Sequence, residues 1–291
     1  MFRLFTPLFA ELDRVSTAFA RDVSSRVIVA ITPVLAAGLT VWFIVWGILV
    51  MRGAVEQPVR EFLGKAIRIA LIVSVALGAG LYQQDLAEMI RTVPDDLAAV
   101  VAGGEADVRF SADPLATGSR QAALIDRAAG QGLAKAEDAF EKGGLMTQQG
   151  IAFSTFGVLI LLATVIMVGV GGALILVAKV MLALLAGLGP LFIAALLFDA
   201  TRRFFDRWIA MIATYCLIVV LFAAVFTFML AIFANYMAGV ALDGNMNVAY
   251  GIGGALVLTI VSVAILRELH HLAVGLGGGY AHRILLLERP R

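Results

Sequence analysis

Residues 151–198 read IAFSTFGVLILLATVIMVGVGGALILVAKVMLALLAGLGPLFIAALLF, and this stretch decides the class of fold. Lys179 is its only charged residue. A helix needs roughly 20 consecutive apolar residues to cross a bilayer, and this stretch is more than twice as long. No water-soluble core needs so long an uncharged run, so the sequence predicts an integral membrane protein.

Within this stretch, Gly187-Leu188-Gly189-Pro190 predicts a break, because proline removes a backbone donor and glycine lets the chain bend. We expect one crossing from residue 151 to about residue 178. Lys179 then snorkels at the cytoplasmic boundary, and residues 180–198 re-enter the membrane or lie in its interface. The alternatives are a spanning helix that is only kinked at Pro190, and a Lys179 that lines a pore.

The chain after this stretch is predicted to cross the membrane twice more. A short loop with three arginines ends at Trp208, and the excess of positive charge places it in the cytoplasm. Residues 208–236 lead outward and residues 248–266 return, so that residues 151–266 form one membrane region. The C-terminal segment 267–291 then lies on the cytoplasmic side.

The chain before this stretch is predicted to hold two spans and an external insert. Residues 27–82 carry two apolar segments joined by a basic connection, which is expected in the cytoplasm. Residues 83–150 carry eleven acidic and six basic residues, and form a helical periplasmic loop domain. Residues 1–26 have the spacing of an amphipathic helix, which lies in the periplasmic-side interface or packs on the protein's own membrane domain.

Together these segments predict an all-α polytopic membrane protein with about five net transmembrane crossings. The N-terminus is expected in the periplasm and the C-terminus in the cytoplasm. Composition agrees, since 61% of the residues are hydrophobic and the mean hydropathy is +0.96, against roughly 45–50% apolar residues in soluble domains. A net charge of only +1 argues against binding nucleic acid through a basic surface.

The sequence predicts no catalytic, cofactor-binding or metal site, and therefore no enzyme. It lacks the metalloprotease, serine-hydrolase and phosphate-loop patterns, and Cys216 is its single cysteine. His270 and His271 are adjacent, so on a helix they point about 100° apart and a structural role is expected. The glycine cluster at residues 275–279 lacks the Lys-Ser/Thr ending of a phosphate loop and predicts a hinge.

Residues 182–198, LALLAGLGPLFIAALLF, and residues 201–208, TRRFFDRW, resemble the signature region of the TrbL/VirB family of polytopic inner-membrane subunits of bacterial type IV secretion systems. The order of parts along the chain is also similar to that family. The resemblance implies a non-enzymatic channel or scaffold subunit in the inner membrane. It implies an oligomeric ring that moves protein or single-stranded DNA, with separate ATPases supplying the energy. Which cargo is moved stays open.

The resemblance also implies partners and assembly residues. The partners are the minor pilin subunit, bitopic inner-membrane and scaffold subunits, the secretion ATPases of the same machine, membrane lipid and further copies of this chain. The residue types themselves suggest the roles: Pro190 is expected to break the helix, Arg203 to anchor the cytoplasmic face, and Phe205 and Trp208 to set the depth of the next helix. The predicted structural and assembly residues are Lys179, Gly187, Gly189, Pro190, Phe198, Arg202, Arg203, Phe205 and Trp208.

A stand-alone transporter or permease for small solutes is the alternative function. Such a protein is expected to show ionisable residues at mid-membrane and paired breaks in two repeated halves, and the sequence offers only one break. The small residues at 169–173 and 251–254 fit helix packing within one subunit, or between the subunits of a ring. The large external insert favours a secretion subunit, because docking to periplasmic partners needs surface.

Overall fold

The computed structural model describes residues 3–53, 58–78, 81–101, 114–143, 148–239 and 245–287, and every regular element in these ranges is a helix. The α-helices in chain order are α1 (Phe5–Met51), α2 (Pro58–Leu77), α3 (Ala87–Val101), α4 (Pro114–Glu141), α5 (Gln148–Ala194), α6 (Arg202–Gly239) and α7 (Asn245–Leu287). A π-helical turn, Leu81–Leu86, precedes α3, and a 3-10 turn, Ala195–Leu197, follows α5. The predicted all-α fold is confirmed.

Four helices in the described part of the chain are long and apolar enough to cross a membrane, judged by length and composition. They lie at Phe5–Met51, Phe153–Leu197, Arg202–Met229 and Leu256–Leu276. The chain is therefore a multi-pass membrane protein, as the sequence predicted. The second of the two apolar segments predicted within residues 27–82 is not among the four, because α2 carries four charges in its first eleven residues and leaves only a short uncharged remainder. The net count of five crossings stays a prediction.

The N-terminal helix is longer than the sequence suggested. α1 runs from Phe5 to Met51 and shows no interruption at residue 26, where the amphipathic segment was expected to end. Four charges of its first half lie on exposed positions and pair along the helix, Glu11 with Arg14 and Asp22 with Arg26. Because these pairs satisfy one another locally, one helix continues from the charged half into the apolar half. The interfacial position of residues 1–26 stays a prediction.

The predicted break at Gly187–Pro190 is wrong. α5 continues through Pro190 to Ala194, and the chain leaves helical geometry only at Phe198, whose φ of −119° and ψ of 129° are extended. The glycine cluster at residues 275–279 likewise lies inside α7 and forms no hinge in the helix. At a rise of 1.5 Å per residue, α5 is about 70 Å long, more than twice the ~30 Å hydrocarbon core of a bilayer.

The chain forms two compact units. The first unit contains residues 1–14, 93–180 and 214–279, and the second contains residues 15–92, 181–213 and 280–291. Each of the two contains polar contacts that are described below.

In the first unit, α4 packs closely on the beginning of α5. A Cβ at Gly132 of α4 would collide with Thr164 of α5, and a Cβ at Gly157 of α5 would lie 3.0 Å from the Phe140 ring of α4. Apart from Asp126, the buried α4 residues that the structure describes are small or aliphatic, among them Ala122, Ile125, Ala129, Ala136 and Ala139. The insert predicted at residues 83–150 therefore covers part of the span predicted from residue 151.

Candidate functional site

Pro190 leaves one carbonyl group of α5 without its helical partner, and Tyr82 supplies a replacement. In a regular helix the amide of residue 190 would bond the carbonyl of Ala186, but proline has no N–H. The Tyr82 hydroxyl, from the π-helical turn, donates to that carbonyl instead. Tyr82 and Ala186 are both fully buried. The helix thus continues past Pro190 because the carbonyl that proline orphans is satisfied by a distant residue.

The two glycines of this motif permit close approach, whereas the sequence suggested that they permit a bend. A Cβ at Gly189 would collide with the Tyr82 hydroxyl. A Cβ at Gly187 would lie 3.3 Å from the Val23 side chain of α1. Glycine at these positions therefore admits the tyrosine and α1 to the surface of α5. We call Tyr82, Ala186, Gly187, Gly189 and Pro190 the Gly-Pro junction.

Trp208 joins α6 to α5 beside this junction. Its side chain is 1% exposed, and its indole Nε1 donates to the Leu185 carbonyl over 2.9 Å. The indole stacks on the Phe192 ring with centroids 5.9 Å apart, and the Phe205 ring lies 5.6 Å from it. Trp208 is therefore a buried contact between two helices. The depth of α6 in a membrane, which the sequence assigned to Trp208 and Phe205, stays a prediction.

The turn between α5 and α6 contains the remaining residues suggested by the resemblance. The Phe198 ring packs on α1, because a Cβ at Gly38 would lie 2.7 Å from it. The Thr201 hydroxyl donates to the Ala195 carbonyl over 2.7 Å and so closes the turn. Arg202 and Arg203 are exposed and have no ion pair among the described residues. Their exposure is compatible with anchoring at a membrane surface or with contact to a partner.

Lys179 does not snorkel to a boundary, and this prediction is wrong. Its side chain is 7% exposed, and its ammonium group lies 2.7 Å from Asp95 Oδ2 of α3 and 3.2 Å from Asp13 Oδ1 of α1. The ammonium also lies 5.6 Å from the centre of the Phe9 ring, within the range of a cation–π contact. We call Lys179, Asp13 and Asp95 the ion cluster. A buried charge requires such partners, and which carboxylates supply them could not be predicted from local sequence.

The two carboxylates of the ion cluster differ in surroundings. The Asp13 side chain is 22% exposed, whereas the Asp95 side chain is 10% exposed and its Oδ1 atom has no hydrogen-bond partner in the described part of the chain. Burial raises the pKa of Asp95, and the nearby Lys179 ammonium opposes that rise. Burial is the larger effect, so the pKa of Asp95 lies above its ordinary value.

Another polar contact of the first unit caps the N-terminus of α1. The Asp126 carboxylate of α4 accepts hydrogen bonds from the backbone N–H groups of Leu4, Phe5 and Thr6 and from the Thr6 hydroxyl, at 2.6 to 3.0 Å. The first N–H groups of a helix have no partners within it, so Asp126 acts as its cap from another helix. Burial works to raise the pKa of Asp126, but these hydrogen bonds together outweigh it and lower the pKa.

Sequence reasoning missed Tyr82, Asp13, Asp95 and Asp126. Two signals pointed to such residues. A proline inside a long helix implies an orphaned carbonyl and hence a donor, and a single lysine in a long apolar run implies carboxylate partners. Among the described residues no group of three or more histidine, cysteine or acidic side chains could hold a metal ion. The predicted absence of a cofactor and of enzymatic activity stays a prediction.

These features define the class of the protein: an all-α, multi-pass membrane protein with a Gly-Pro junction inside a long apolar helix. A family model described as TrbL/VirB6 plasmid conjugal transfer protein matches residues 39–269. The chain belongs to this family, and the resemblance seen in the sequence is confirmed.

Several relatives show how far the similarity extends. The type IV secretion system protein VirB6 of Brucella abortus biovar 1 (strain 9-941) and that of Brucella suis biovar 1 (strain 1330) are each 32% identical to this chain over 241 residues. That alignment covers 81% of this chain and 66% of the relative. Protein VirB6 of Agrobacterium fabrum is 26% identical over 229 residues, which cover 77% of this chain and 70% of the relative. The matched region thus amounts to just under two thirds of the length of the Brucella relatives.

Proposed function

We propose that this chain is an inner-membrane channel or scaffold subunit of a type IV secretion system, which works with other components to translocate protein or single-stranded DNA. The observation that carries the proposal is the family match over residues 39–269. That range includes the Gly-Pro junction and the whole of the candidate spans at Phe153–Leu197 and Arg202–Met229. The relatives are named as components of this machine, which supports the same role here.

The proposed orientation has the N-terminus in the periplasm and the C-terminus in the cytoplasm. Arg202 and Arg203 support it, because they are exposed beside the end of α5 and positively charged loops are retained in the cytoplasm. The helical insert at residues 83–150 then lies in the periplasm, where α4 exposes the charged residues Arg127, Glu137, Asp138 and Glu141. A cytoplasmic α5–α6 turn and a periplasmic insert give the subunit a docking surface on each side of the membrane.

The proposed partners are the minor pilin subunit, bitopic inner-membrane and scaffold subunits, the secretion ATPases and further copies of this chain in a ring. The test is to tag the C-terminus, extract the protein from its native host in a mild detergent and identify co-purifying proteins by mass spectrometry. We expect secretion ATPases, pilin-like subunits and bitopic inner-membrane proteins, with none of them recovered from the untagged strain. A lone monomer or homodimer, purified from cells that express those components, would contradict the proposal.

Substitutions at Trp208 test whether α6 is needed for assembly. Because the Trp208 ring is buried and bonded to the Leu185 carbonyl, Trp208→Ala removes both packing and a hydrogen bond. We expect it to reduce recovery of the partners at least several-fold, whereas Trp208→Phe keeps most of the ring and reduces it less. The exposed Arg203→Gln is the matched surface variant. Normal complex formation by a folded Trp208→Ala protein would show that this helix contact is dispensable.

A stand-alone solute transporter is the second candidate, and one observation favours it. The buried ion cluster places ionisable groups beside an apolar helix, as ion-coupled transporters do at their substrate sites. The purified chain alone in proteoliposomes distinguishes the two functions. Uptake of small solutes that is lost in Asp95→Asn would favour the transporter, and absence of uptake together with the partner set above would favour the secretion subunit.

A further inference from the structure

α2 leaves one apolar face open to its surroundings. Every fourth residue on this face is a large apolar one: Val59, Leu63, Ile67 and Leu71. The exposed fraction of each lies between 59% and 80%. Residues four apart lie one above another on a helix, so the four form a continuous stripe. We call them the apolar stripe, and in a membrane protein such a stripe fits the acyl chains of lipid.

Exposed cations flank the apolar stripe on the same helix. They are Arg60, Lys65 and Arg68, and Glu61 is the only acidic residue of α2. None of the three cations forms an ion pair with any residue that the structure describes. Lys65 and Arg68 are three residues apart, so two like charges are neighbours on the helix surface. This side of α2 therefore presents positive charge that no described carboxylate compensates.

Two of these cations are held in place by groups that are not anions. The Lys65 ammonium lies 3.9 Å from the centre of the Trp46 ring of α1, a cation–π contact. The Arg68 guanidinium lies 3.5 Å from the Leu196 carbonyl in the 3-10 turn. All of these residues belong to the second unit. The contacts orient the two charges and leave them free to bind an anion.

Gly64 leaves an open space between the two arginines. Arg60, Gly64 and Arg68 follow one another at intervals of four residues, which places the arginine Cα atoms about 12 Å apart along the helix axis. A Cβ added at Gly64 would meet nothing within 4 Å. A phosphate group can therefore approach the helix here between two guanidinium groups, which bind phosphate through paired N–H donors. We call Arg60, Gly64, Lys65 and Arg68 the basic ridge.

The two features together define the chemistry of the occupant. A soluble anion would neutralise the basic ridge and leave the apolar stripe uncovered, whereas a purely apolar helix would cover the stripe and leave the charges. A molecule with an anionic head and an apolar tail satisfies both. Helices that combine basic residues with an exposed apolar face bind anionic lipid in this way.

We propose that α2 binds anionic phospholipid, with the headgroup phosphate on the basic ridge above Gly64 and an acyl chain along the apolar stripe. The long side chains of Lys65 and Arg68 place their charges at the level of the phosphate, and their stems lie on apolar surface. The proposal rests on the chain being a multi-pass membrane protein, and it does not depend on the proposed function.

Quenching of tryptophan fluorescence by lipid tests the proposal on the full chain. The three tryptophans, Trp42, Trp46 and Trp208, all lie in the second unit, and Trp46 contacts Lys65 of the basic ridge. The chain is reconstituted into nanodiscs of phosphatidylcholine in which a small fraction of the lipid carries brominated acyl chains. We expect brominated phosphatidylglycerol to quench more strongly than brominated phosphatidylcholine at the same fraction. High salt should reduce this preference, because it screens the charges.

Two variants test the charge and the shape of the basic ridge separately. Removing one basic residue near an anionic lipid surface weakens binding about fivefold, so Arg60→Gln with Arg68→Gln should abolish most of the preference. The matched control is Arg127→Gln with Lys142→Gln, which removes two exposed cations of the first unit and should keep the preference.

Gly64→Leu fills the space between the arginines without changing the charge, and it should also lower the preference. Its control is Gly169→Leu, at a second glycine where nothing lies within 4 Å of a Cβ. Because the two tests act through different atoms, a folding defect in one variant leaves the other informative.

Three results would overturn the proposal. Equal quenching of the wild-type chain by the two brominated lipids would leave the ridge as a surface for a protein partner or for a second copy of this chain. A preference that survives in both the arginine variant and Gly64→Leu would place the lipid elsewhere. An equal loss of preference in the Arg127→Gln, Lys142→Gln control would mean that net charge alone attracts the lipid.

Discussion

The Gly-Pro junction and the ion cluster each contain a buried polar group of α5, and the partners of each group come from its own unit. At the junction the polar group is a neutral carbonyl of Ala186, and one hydroxyl from Tyr82 satisfies it. At the cluster the polar group is the Lys179 ammonium, which needs two carboxylates, and one of their oxygens stays without a partner. A neutral backbone carbonyl thus needs only a single hydrogen-bond donor. A buried ammonium group requires carboxylate partners, and these must in turn find hydrogen-bond donors of their own.

Lys179→Met should give the largest effect, because it removes the ammonium group that Asp13 and Asp95 contact. Removing one partner of a buried ion pair typically costs about 3 to 5 kcal/mol of unfolding free energy. We expect a loss of that order, measured by thermal unfolding in detergent. Lys135→Met is the matched control, since Lys135 lies 3.9 Å from Asp138 on the surface and should change stability little. Equal stability of Lys179→Met and wild type would contradict the ion cluster.

Gly189→Ala should give the next largest effect. The added Cβ collides with the Tyr82 hydroxyl, and overpacking of this kind costs roughly 1 to 3 kcal/mol. Gly169→Ala in the same helix is the matched control, because nothing lies within 4 Å of a Cβ there. The control should be neutral or slightly stabilising, since alanine is the better helix former. Similar melting temperatures for the two variants would show that Tyr82 does not lie against Gly189.

Tyr82→Phe isolates the hydrogen bond at the junction. It leaves the buried Ala186 carbonyl unpaired, which costs about 1 to 3 kcal/mol. Adding Pro190→Ala restores a backbone N–H to that carbonyl, so we expect the double variant to lose less stability than the sum of the single variants. Tyr215→Phe on α6 controls for loss of a hydroxyl elsewhere. If the stability losses of Tyr82→Phe and Pro190→Ala are strictly additive, the Tyr82 hydroxyl does not replace the backbone donor that is missing at Pro190.

Asp126→Asn should give the smallest effect and sharpens the contrast with Asp95. Asp126 receives four hydrogen bonds and is held ionised, whereas Asp95 receives one. Loss of a helix cap costs about 1 kcal/mol. Because the pKa of Asp126 is lowered on folding, its contribution is complete above the ordinary aspartate pKa of about 3.9 and is lost as pH falls through the folded value.

The acid part of the stability curve measures this contribution. We expect the fall in melting temperature at acid pH to be shallower in Asp126→Asn than in wild type. The exposed Asp138→Asn should leave the acid part of the curve unchanged. An acid response that is identical in Asp126→Asn and wild type would show that the cap does not depend on the charge.

Much of the fold could be predicted from the sequence, because membrane helices are set by local composition. The uncharged run at residues 151–198 and the later apolar segments identified three of the four candidate spans, and the first apolar segment within residues 27–82 identified the fourth. The predicted ends and breaks were less accurate. Proline and glycine at residues 187–190 favour a break in isolation, and only the structure shows the hydroxyl that allows the helix to continue.

The partners of the polar groups could not be predicted, because they are distant in sequence. Tyr82 lies 104 residues before Ala186, and Lys179 lies 84 residues after Asp95 and 166 residues after Asp13. No local pattern records such pairings. Trp208 was recognised through the family resemblance, and its position in the sequence suggested an interfacial anchor. Its burial and its bond to the Leu185 carbonyl follow from the packing of α6 on α5.

Delivery of cargo in the native host tests the proposed function most directly. The gene is deleted, and transfer of DNA or protein to recipient cells is measured with and without a plasmid-borne copy of this chain. Our account predicts that transfer is lost in the deletion strain, is restored by the wild-type chain, and is restored only weakly by Trp208→Ala. Unchanged transfer in the deletion strain, together with altered uptake of small solutes, would contradict it.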